Sequence, residues 1–525
     1  MNQVDRRTFL KELGILSGTA LGLGALDPRW AYAAGETLRY GVNSRDIRRL
    51  DPMAGPNSND KTVLAAIFNG LVRTTPGDVN AERLQPDLAL SWESSKDLKT
   101  WTFKLRQGVE FHKGYGEFTA ADAVFSLERA KDKKTNVYYK SYGPFGKIEA
   151  MDKYTLRVYL KSPQTALALL PTVLDWQAGM VLSKKAAEKL GDKLKTTPIG
   201  TGPYAFSEYI PQERLVLVRN DNYFRGKPGF EKVEFRMLPD PSSRTLAFKA
   251  GELDIMDVDR EQRSIDQVKG NGVVIESFGP ASVHKLHIDR NRKPLNDLKV
   301  RQAIAYAINR VDIVRFIGQD VAEALYSVIP AEFVGGLDPV PDKLKYNHDP
   351  AQAKKLLAEA GLANGFSIDP VYISERPQFR RPMEIIQNQL GQVGITINLS
   401  VVAHPAWHTK NDEGSNPLVL RAATRFPTAN FILEEFCLGG GKRNFSRFSG
   451  ADAELKRAQA ETDLELQKKL WREAQIKILE DVAAVPTHLL NTVVARKAKL
   501  DLGFPKLEAS LSGGLPVKWN AHLTS

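Results

Sequence analysis

Short runs in which apolar and polar residues alternate recur along this chain, with stretches of helical spacing between them, and that interleaving restricts the fold more than any other feature. Trp101-Thr102-Phe103-Lys104-Leu105 alternates as a half-buried strand does, and residues 154–160 repeat the pattern. Between them, Thr119-Ala120-Ala121-Asp122 opens a helix predicted to run to about Ala130, with Thr119 as N-cap. Strands are also predicted over 37–42, 214–219, 233–237, 368–373 and 395–402, and after the turn Gly200-Thr201-Gly202-Pro203-Tyr204. Helices are predicted over 61–69, 242–250, 298–317, 350–360, 382–393 and 455–481. Such blocks make a mixed α/β protein. At roughly 100–200 residues per domain, the 525 residues accommodate several structural units.

Composition narrows the function classes. The net charge is +11, yet the basic residues are scattered in doublets such as Arg48-Arg49, Lys184-Lys185, Arg380-Arg381 and Lys468-Lys469. Nucleic-acid binders gather them in one stripe with interleaved aromatics, so no nucleic-acid partner is expected. A cationic, solvated surface remains, compatible with an acidic ligand. One cysteine, Cys437, precludes an internal disulfide and any multi-cysteine metal site; it reads as a small buried hydrophobe. No Gly-x-Ser-x-Gly elbow, phosphate-binding loop or His-Glu-x-x-His helix occurs, so no catalytic residue is assigned. An exported hydrolase is the alternative from another class.

The N-terminus reads as a targeting segment. Asp5-Arg6-Arg7-Thr8-Phe9-Leu10-Lys11 precedes an apolar, Gly-rich stretch from Leu13 to Leu26, and Ala31-Tyr32-Ala33 forms a small-x-small cleavage pattern. The stretch is shorter than the roughly 20 apolar residues that a spanning helix needs. Cleavage after Ala33 and residence in the periplasm are expected. The paired arginines resemble a twin-arginine export signal.

Four ordered blocks then carry a resemblance over nearly the whole mature chain. The first joins Pro86-Asp87-Leu88-Ala89 and Ser91-Trp92-Glu93 to the 101–112 and 118–126 segments. The second is Pro198-Ile199-Gly200-Thr201-Gly202-Pro203-Tyr204 with Asn220 and Tyr223. Gly251-Glu252-Leu253-Asp254-Ile255 is the third, and Val300-Arg301-Gln302-Ala303-Ile304 through Arg310 the fourth. Together they resemble the family 5 extracytoplasmic solute-binding proteins, the peptide and nickel receptors of ABC importers. The resemblance implies a two-lobed periplasmic-binding-protein fold of the large, three-domain type, with the ligand cleft between lobes. Lobe I would combine 36–72, 198–285 and 497–525; 73–197 would be the extra small domain and 286–496 lobe II. Hinges would lie near 285 and 497, and closure would make the signal that the permease recognises. The motifs themselves read as scaffold. The family expectation is a monomer without cofactor that captures a small molecule or oligopeptide and delivers it to permease subunits in the inner membrane.

The same resemblance points to the ligand site. Peptide receptors of the family carry an aspartate four residues before a proline, and its carboxylate pairs with the ligand's α-amino group. Alignment on Pro427 puts Ala423 there. Arg421, Thr424 and Arg425 surround the gap, and guanidinium forks suit carboxylates and phosphates. An anionic peptide, modified peptide or opine-type conjugate is therefore expected. Trp407 is expected to line a side-chain pocket, Asn43 and Arg45 to contact ligand after the first strand, and Trp176 to reach it from the extra domain.

Nickel receptors share the fold, so chelated metal or haem is the alternative cargo. His284 and His287, three apart on a strand, face opposite ways and chelate poorly. His404 and His408 would adjoin on a helix, but Pro405 between them predicts an irregular turn. No direct metal ligands are assigned.

Overall fold

Thr37–Val42 folds as the strand that its pattern predicts, burying Leu38, Tyr40 and Val42. It pairs in parallel with Lys232–Met237, where Val233, Phe235 and Met237 alternate with more exposed Lys232, Glu234 and Arg236. These strands belong to a computed structural model that describes residues 37–524, except 48, 56, 57, 76, 424, 425, 442, 505, 506, 508–510, 512 and 513. The export signal predicted over 1–33 lies outside the described residues.

The largest sheet runs in the order Tyr204–Ile210, Arg214–Arg219, Lys232–Met237, Thr37–Val42, Ile255–Asp257, Ala484–Lys497, Val273–Ile288 and Leu418–Ala423. Ala322–Ala324 adds to Ala484–Lys497 beside that path. A separate antiparallel sheet is built from Ala89–Ser94, Thr100–Leu105, Thr155–Leu160 and Phe145–Asp152, with Trp101 and Phe103 in its core. Phe366–Ser374 and Ile395–Val402 pair in parallel, packed by the helix Pro377–Gly391.

Two long strands tie the molecule together. Val273–Ile288 and Ala484–Lys497 run antiparallel from the Val273–Lys497 pair to the His287–Ala484 pair. One end packs into a core with Phe248, Leu253 and Ile265. The other end, with Leu286, Ile288 and Val485, enters a core with Ile304, Leu357 and Ile397. Between those cores the ladder slips at Phe278/Ser282 and again at His284/Lys285. Such slips bend a strand pair and increase its twist.

The family motifs build scaffold, as their residue types imply. A Cβ on Gly202 would lie 2.5 Å from the Ile67 carbonyl carbon, so only glycine lets the turn cross the end of the helix Ser58–Ile67. Asp87 is fully buried and accepts hydrogen bonds from Asn69 Nδ2 at 2.9 Å, Gly70 N–H at 3.2 Å and Arg225 at 2.9 Å. Arg301, also buried, donates to the Asp481 and Leu295 carbonyls.

Three helix predictions need correction. The segment 298–317 is two helices, Leu298–Ala307 and Arg310–Ile317. Ile308 turns extended, and the Asn309 side chain caps the second helix by accepting from Asp312 N–H at 3.2 Å. Gln389 holds this break from outside, accepting from Asn309 N–H at 3.1 Å and donating to its carbonyl at 3.2 Å. Likewise 455–481 divides into Asp452–Ala460 and Leu464–Asp481, with Asp463 accepting from Leu466 N–H at 2.8 Å. The helix predicted from Pro382 starts at Pro377, which fits a first turn where no N–H is required.

Candidate functional site

A cleft of about 790 Å³ opens where the ladder of the two long strands slips. That volume suits a small-molecule or short-peptide ligand. Ser282, His284, Leu490, Thr492 and Val493 from the long strands form its floor. One wall comes from Asn43–Arg45 and residues 257–261, which follow the parallel strands Thr37–Val42 and Ile255–Asp257. Ligands characteristically bind beyond the carboxyl ends of parallel strands. The opposite wall comes from residues 376–379, Arg381, Pro382, His404, His408, Arg421 and Ala422.

The carboxylates of the lining already have partners. Asp257, buried, accepts from Tyr40 Oη and Asn43 N–H, both at 2.9 Å. Asp259 Oδ1 accepts from Asn43 Nδ2 at 2.9 Å and Arg244 at 2.7 Å. Glu261 pairs with Arg381 across the cleft at 2.5 Å and with Arg263 at 2.7 Å. The guanidiniums differ. Among the described residues, the side chains of Arg45, Arg260 and Arg376 take part in no hydrogen bond or ion pair, although all three line the cleft. Burial also pulls the Arg260 guanidinium below its ordinary range, partly offset by nearby Asp257.

Arg421 sits against Trp407, its guanidinium carbon 5.4 Å from the ring centroid. Its Nη1 lies 3.2 Å from His408 Nδ1. A guanidinium only donates, so His408 accepts at Nδ1 and carries its proton on Nε2. That Nε2 lies 3.1 Å from His404 Nε2, which must accept; His404 then donates from Nδ1 to Ser374 Oγ at 2.9 Å. Burial, with Arg376 and Arg421 nearby, pushes His404 down to about 4. Burial and Arg421 do the same for His408. Both imidazoles are neutral at pH 7, as this hydrogen-bond chain requires.

The floor adds neutral polar atoms. His284 is 0% exposed, stacks on His488 with centroids 4.3 Å apart, and meets Ser282 Oγ through Nε2 at 3.1 Å. Its Nδ1 has no partner, and neither has Oγ1 of Thr492, which is 3% exposed. Unpaired buried polar atoms are costly, and these two line the cleft.

Of the residues singled out from sequence, the cleft brings together Asn43, Arg45 and Arg421. Asn43 spends its side chain on Asp259. Trp407, 2% exposed, lies beneath the wall rather than in it, stacked on His404 and packed by Phe379. Trp176 lies outside the lining; its Nε1 donates to the Leu511 carbonyl at 3.2 Å, and Lys61 sits over its ring. Thr424 and Arg425 fall outside the described residues. Ala423 is buried at the end of Leu418–Ala423, opposite Val283.

Sequence reasoning missed Arg260, Arg376 and the floor residues. A signal for Arg260 existed: it follows by five residues the Gly251–Ile255 motif, just past the end of a parallel strand. His284 faces the cleft while His287 packs against Phe436 and Phe445, on opposite faces as the strand predicts. The irregular turn expected at Pro405 is instead the helix His404–Asp412, because proline occupies its first turn. Among the described residues, no group of three or more His, Cys, Asp or Glu side chains is placed to hold a metal ion. No helix among them is long and apolar enough to cross a membrane.

Comparison with known proteins places the chain in a family. The family model "Bacterial extracellular solute-binding proteins, family 5 Middle" matches residues 83–444, more than half of the chain. The dipeptide-binding protein of Escherichia coli is 30% identical over 452 residues, covering 80% of this chain and 83% of the relative. The solved structure of MoaA from A. tumefaciens in complex with mannopinic acid superposes with a TM-score of 0.81 at 37% identity, covering 94% of this chain and 100% of that one. The ABC transporter-associated periplasmic binding protein DppA from Helicobacter pylori, in complex with a peptide, gives 0.77 at 25% identity over 95% and 100%.

Proposed function

Because this chain belongs to the bacterial extracellular solute-binding proteins of family 5, we propose that it captures a small acid-bearing solute, peptide-like or opine-like, and delivers it to the permease of an ABC importer. One observation carries the ligand class: the cleft's carboxylates are engaged, while Arg45, Arg260 and Arg376 present guanidiniums without protein partners. Such forks accept carboxylates bidentately, and a free ammonium finds no uncommitted anion in the lining. The mannopinic acid bound by MoaA is of the right chemistry. His404 and His408 are already bonded to one another, which favours an anion over a chelated metal as cargo.

In this reading the chain acts in the periplasm after removal of residues 1–33, and it binds without chemical turnover. Lobe I comprises 36–72, 198–285 and 497–525, the extra domain 73–197, and lobe II 286–496. The bent crossing strands flex as the lobes close, and the closed form is what the permease reads.

The test is a thermal-shift and calorimetric screen of the chain from Ala34 onward. Mannopinic acid, glutathione, amino-terminally free and blocked peptides, and a nickel chelate form the panel. A ligand at a hundred times its Kd adds about 2.7 kcal/mol of stability, read as a shift of a few degrees. Acid-bearing ligands should give that shift, and Arg421→Ala should weaken them by about 2 kcal/mol or more, since truncating one partner of a desolvated charge pair costs that much. Strongest binding by peptides whose only feature is a free amine, unaffected by Arg421→Ala, would overturn the reading.

A further inference from the structure

The helix Gln262–Val268 begins at Glu261 and sends Ile265 and Val268 into one core, beside Phe248 and Leu253. The helix Pro377–Gly391 sends Met383, Ile386 and Leu390 into another, beside Ile304 and Leu357. These are the two cores between which the crossing strands slip, so bending at the slip changes the distance between the two helices. An ion pair joins them across the cleft: Arg381 Nη1 lies 2.5 Å from Glu261 Oε1. Arg263, on the helix that Glu261 begins, holds Glu261 Oε2 at 2.7 Å. The Glu261 carbonyl accepts from Ser264 N–H at 3.0 Å, which fixes its backbone on that wall. Glu261 and Arg381 both line the cleft, and the pair needs no ligand group to complete it.

Attraction between opposite charges weakens with separation, and direct contact is lost once the walls part by a few ångströms. The pair therefore stabilises the narrowed cleft and contributes little to an open one. An interaction that differs between two conformations shifts their populations, and a ligand that needs the narrowed cleft gains affinity by the same factor. The Arg381 and Glu261 side chains are 34% and 19% exposed, so water and salt screen the pair and its effect is moderate. We propose that Glu261 and Arg381 are positioning residues that latch the cleft around its ligand, slowing release through the width of the cleft rather than through contact with the ligand. The effect on release rests on the capture reading above; the effect on cleft width does not.

Stopped-flow binding of mannopinic acid and small-angle X-ray scattering of the unliganded chain test it in Glu261→Gln, Arg381→Gln and the double variant. Each variant should release mannopinic acid about three- to fivefold faster than wild type, the scale of a partly exposed pair, and should have a larger radius of gyration. The double variant should match the single ones, because either change removes the whole pair. Raising salt from about 0.05 M to about 0.5 M should shrink the difference between wild type and variants, since screening weakens the same interaction. Glu454→Gln, which breaks the Lys477–Glu454 pair outside the lining, should behave as wild type in both measurements. Unliganded melting curves check that the variants fold. Faster release confined to Arg381→Gln would assign Arg381 to the ligand and overturn the latch. Tighter binding by Glu261→Gln would overturn it too, making that carboxylate a competitor of the ligand's acid, and so would unchanged release in all three variants. If no acid in the panel binds wild type, the capture reading fails, and an unchanged radius of gyration in the variants then overturns the latch separately.

Discussion

Beneath the cleft, Trp407 is 2% exposed and holds Phe379, His404 and the Arg421 guanidinium around its ring. Trp407→Ala should therefore destabilise the protein by about 3–5 kcal/mol, as truncating a large buried aromatic does, and a urea titration reads the loss directly. Ligand affinity should fall with it, because the ring positions the guanidinium. The sequence marked Trp407, but only packing placed its ring against the Arg421 guanidinium rather than in the lining. Asn43 and Arg45 were placed at the cleft because they directly follow the first strand, Thr37–Val42. Arg376 was not: it sits in a loop whose direction is set by the helix Pro377–Gly391, and no local pattern records that direction.

Elements were legible wherever one apolar face decided them, as in Thr37–Val42, Arg214–Arg219 and Ile395–Val402, whose bounds match the prediction. They were less so where a polar contact from elsewhere interrupts a helical period. Ile304, Ala307, Ile308 and Ile313 keep the spacing through the break at Ile308, and the break itself is held by Gln389, 80 residues away in sequence. Asn309→Ala removes the cap on Arg310–Ile317 and should cost about 1 kcal/mol, whereas Asn309→Gly should cost only a few tenths. Chemical denaturation of the two variants separates these outcomes. Of the two crossing strands, the segment around His284 and His287 was read as a strand, whereas Ala484–Lys497 escaped prediction for another reason. Ala484–Lys497 is buried on both faces for most of its length, so alternation is lost.

At the scale of the whole molecule, the histidines set an acid limit. Burial lowers His112 to about 4 and His287 and His488 to about 3, and it pushes His284 well down. His404 and His408 lie near about 4. The unfolded chain takes up these protons near pH 6.5 and the folded chain only well below, so the stability is fully present above 6.5 and is lost as pH falls toward 4 and 3. His112 alone accounts for about 3 kcal/mol on this reckoning. Melting temperatures measured from pH 7 to pH 4 should fall monotonically; a flat profile would show that these rings are not neutral and buried. By itself the sequence determined the strand and helix alternation, the family scaffold and the excess of positive charge, because periodicity, glycine turns and charge are local properties. Only the tertiary structure decided which charges stay unpaired. Pairing depends on distances between segments far apart in the chain, and these put Arg260 and Arg376 into one cleft while binding Asp257 and Asp259 to Tyr40, Asn43 and Arg244.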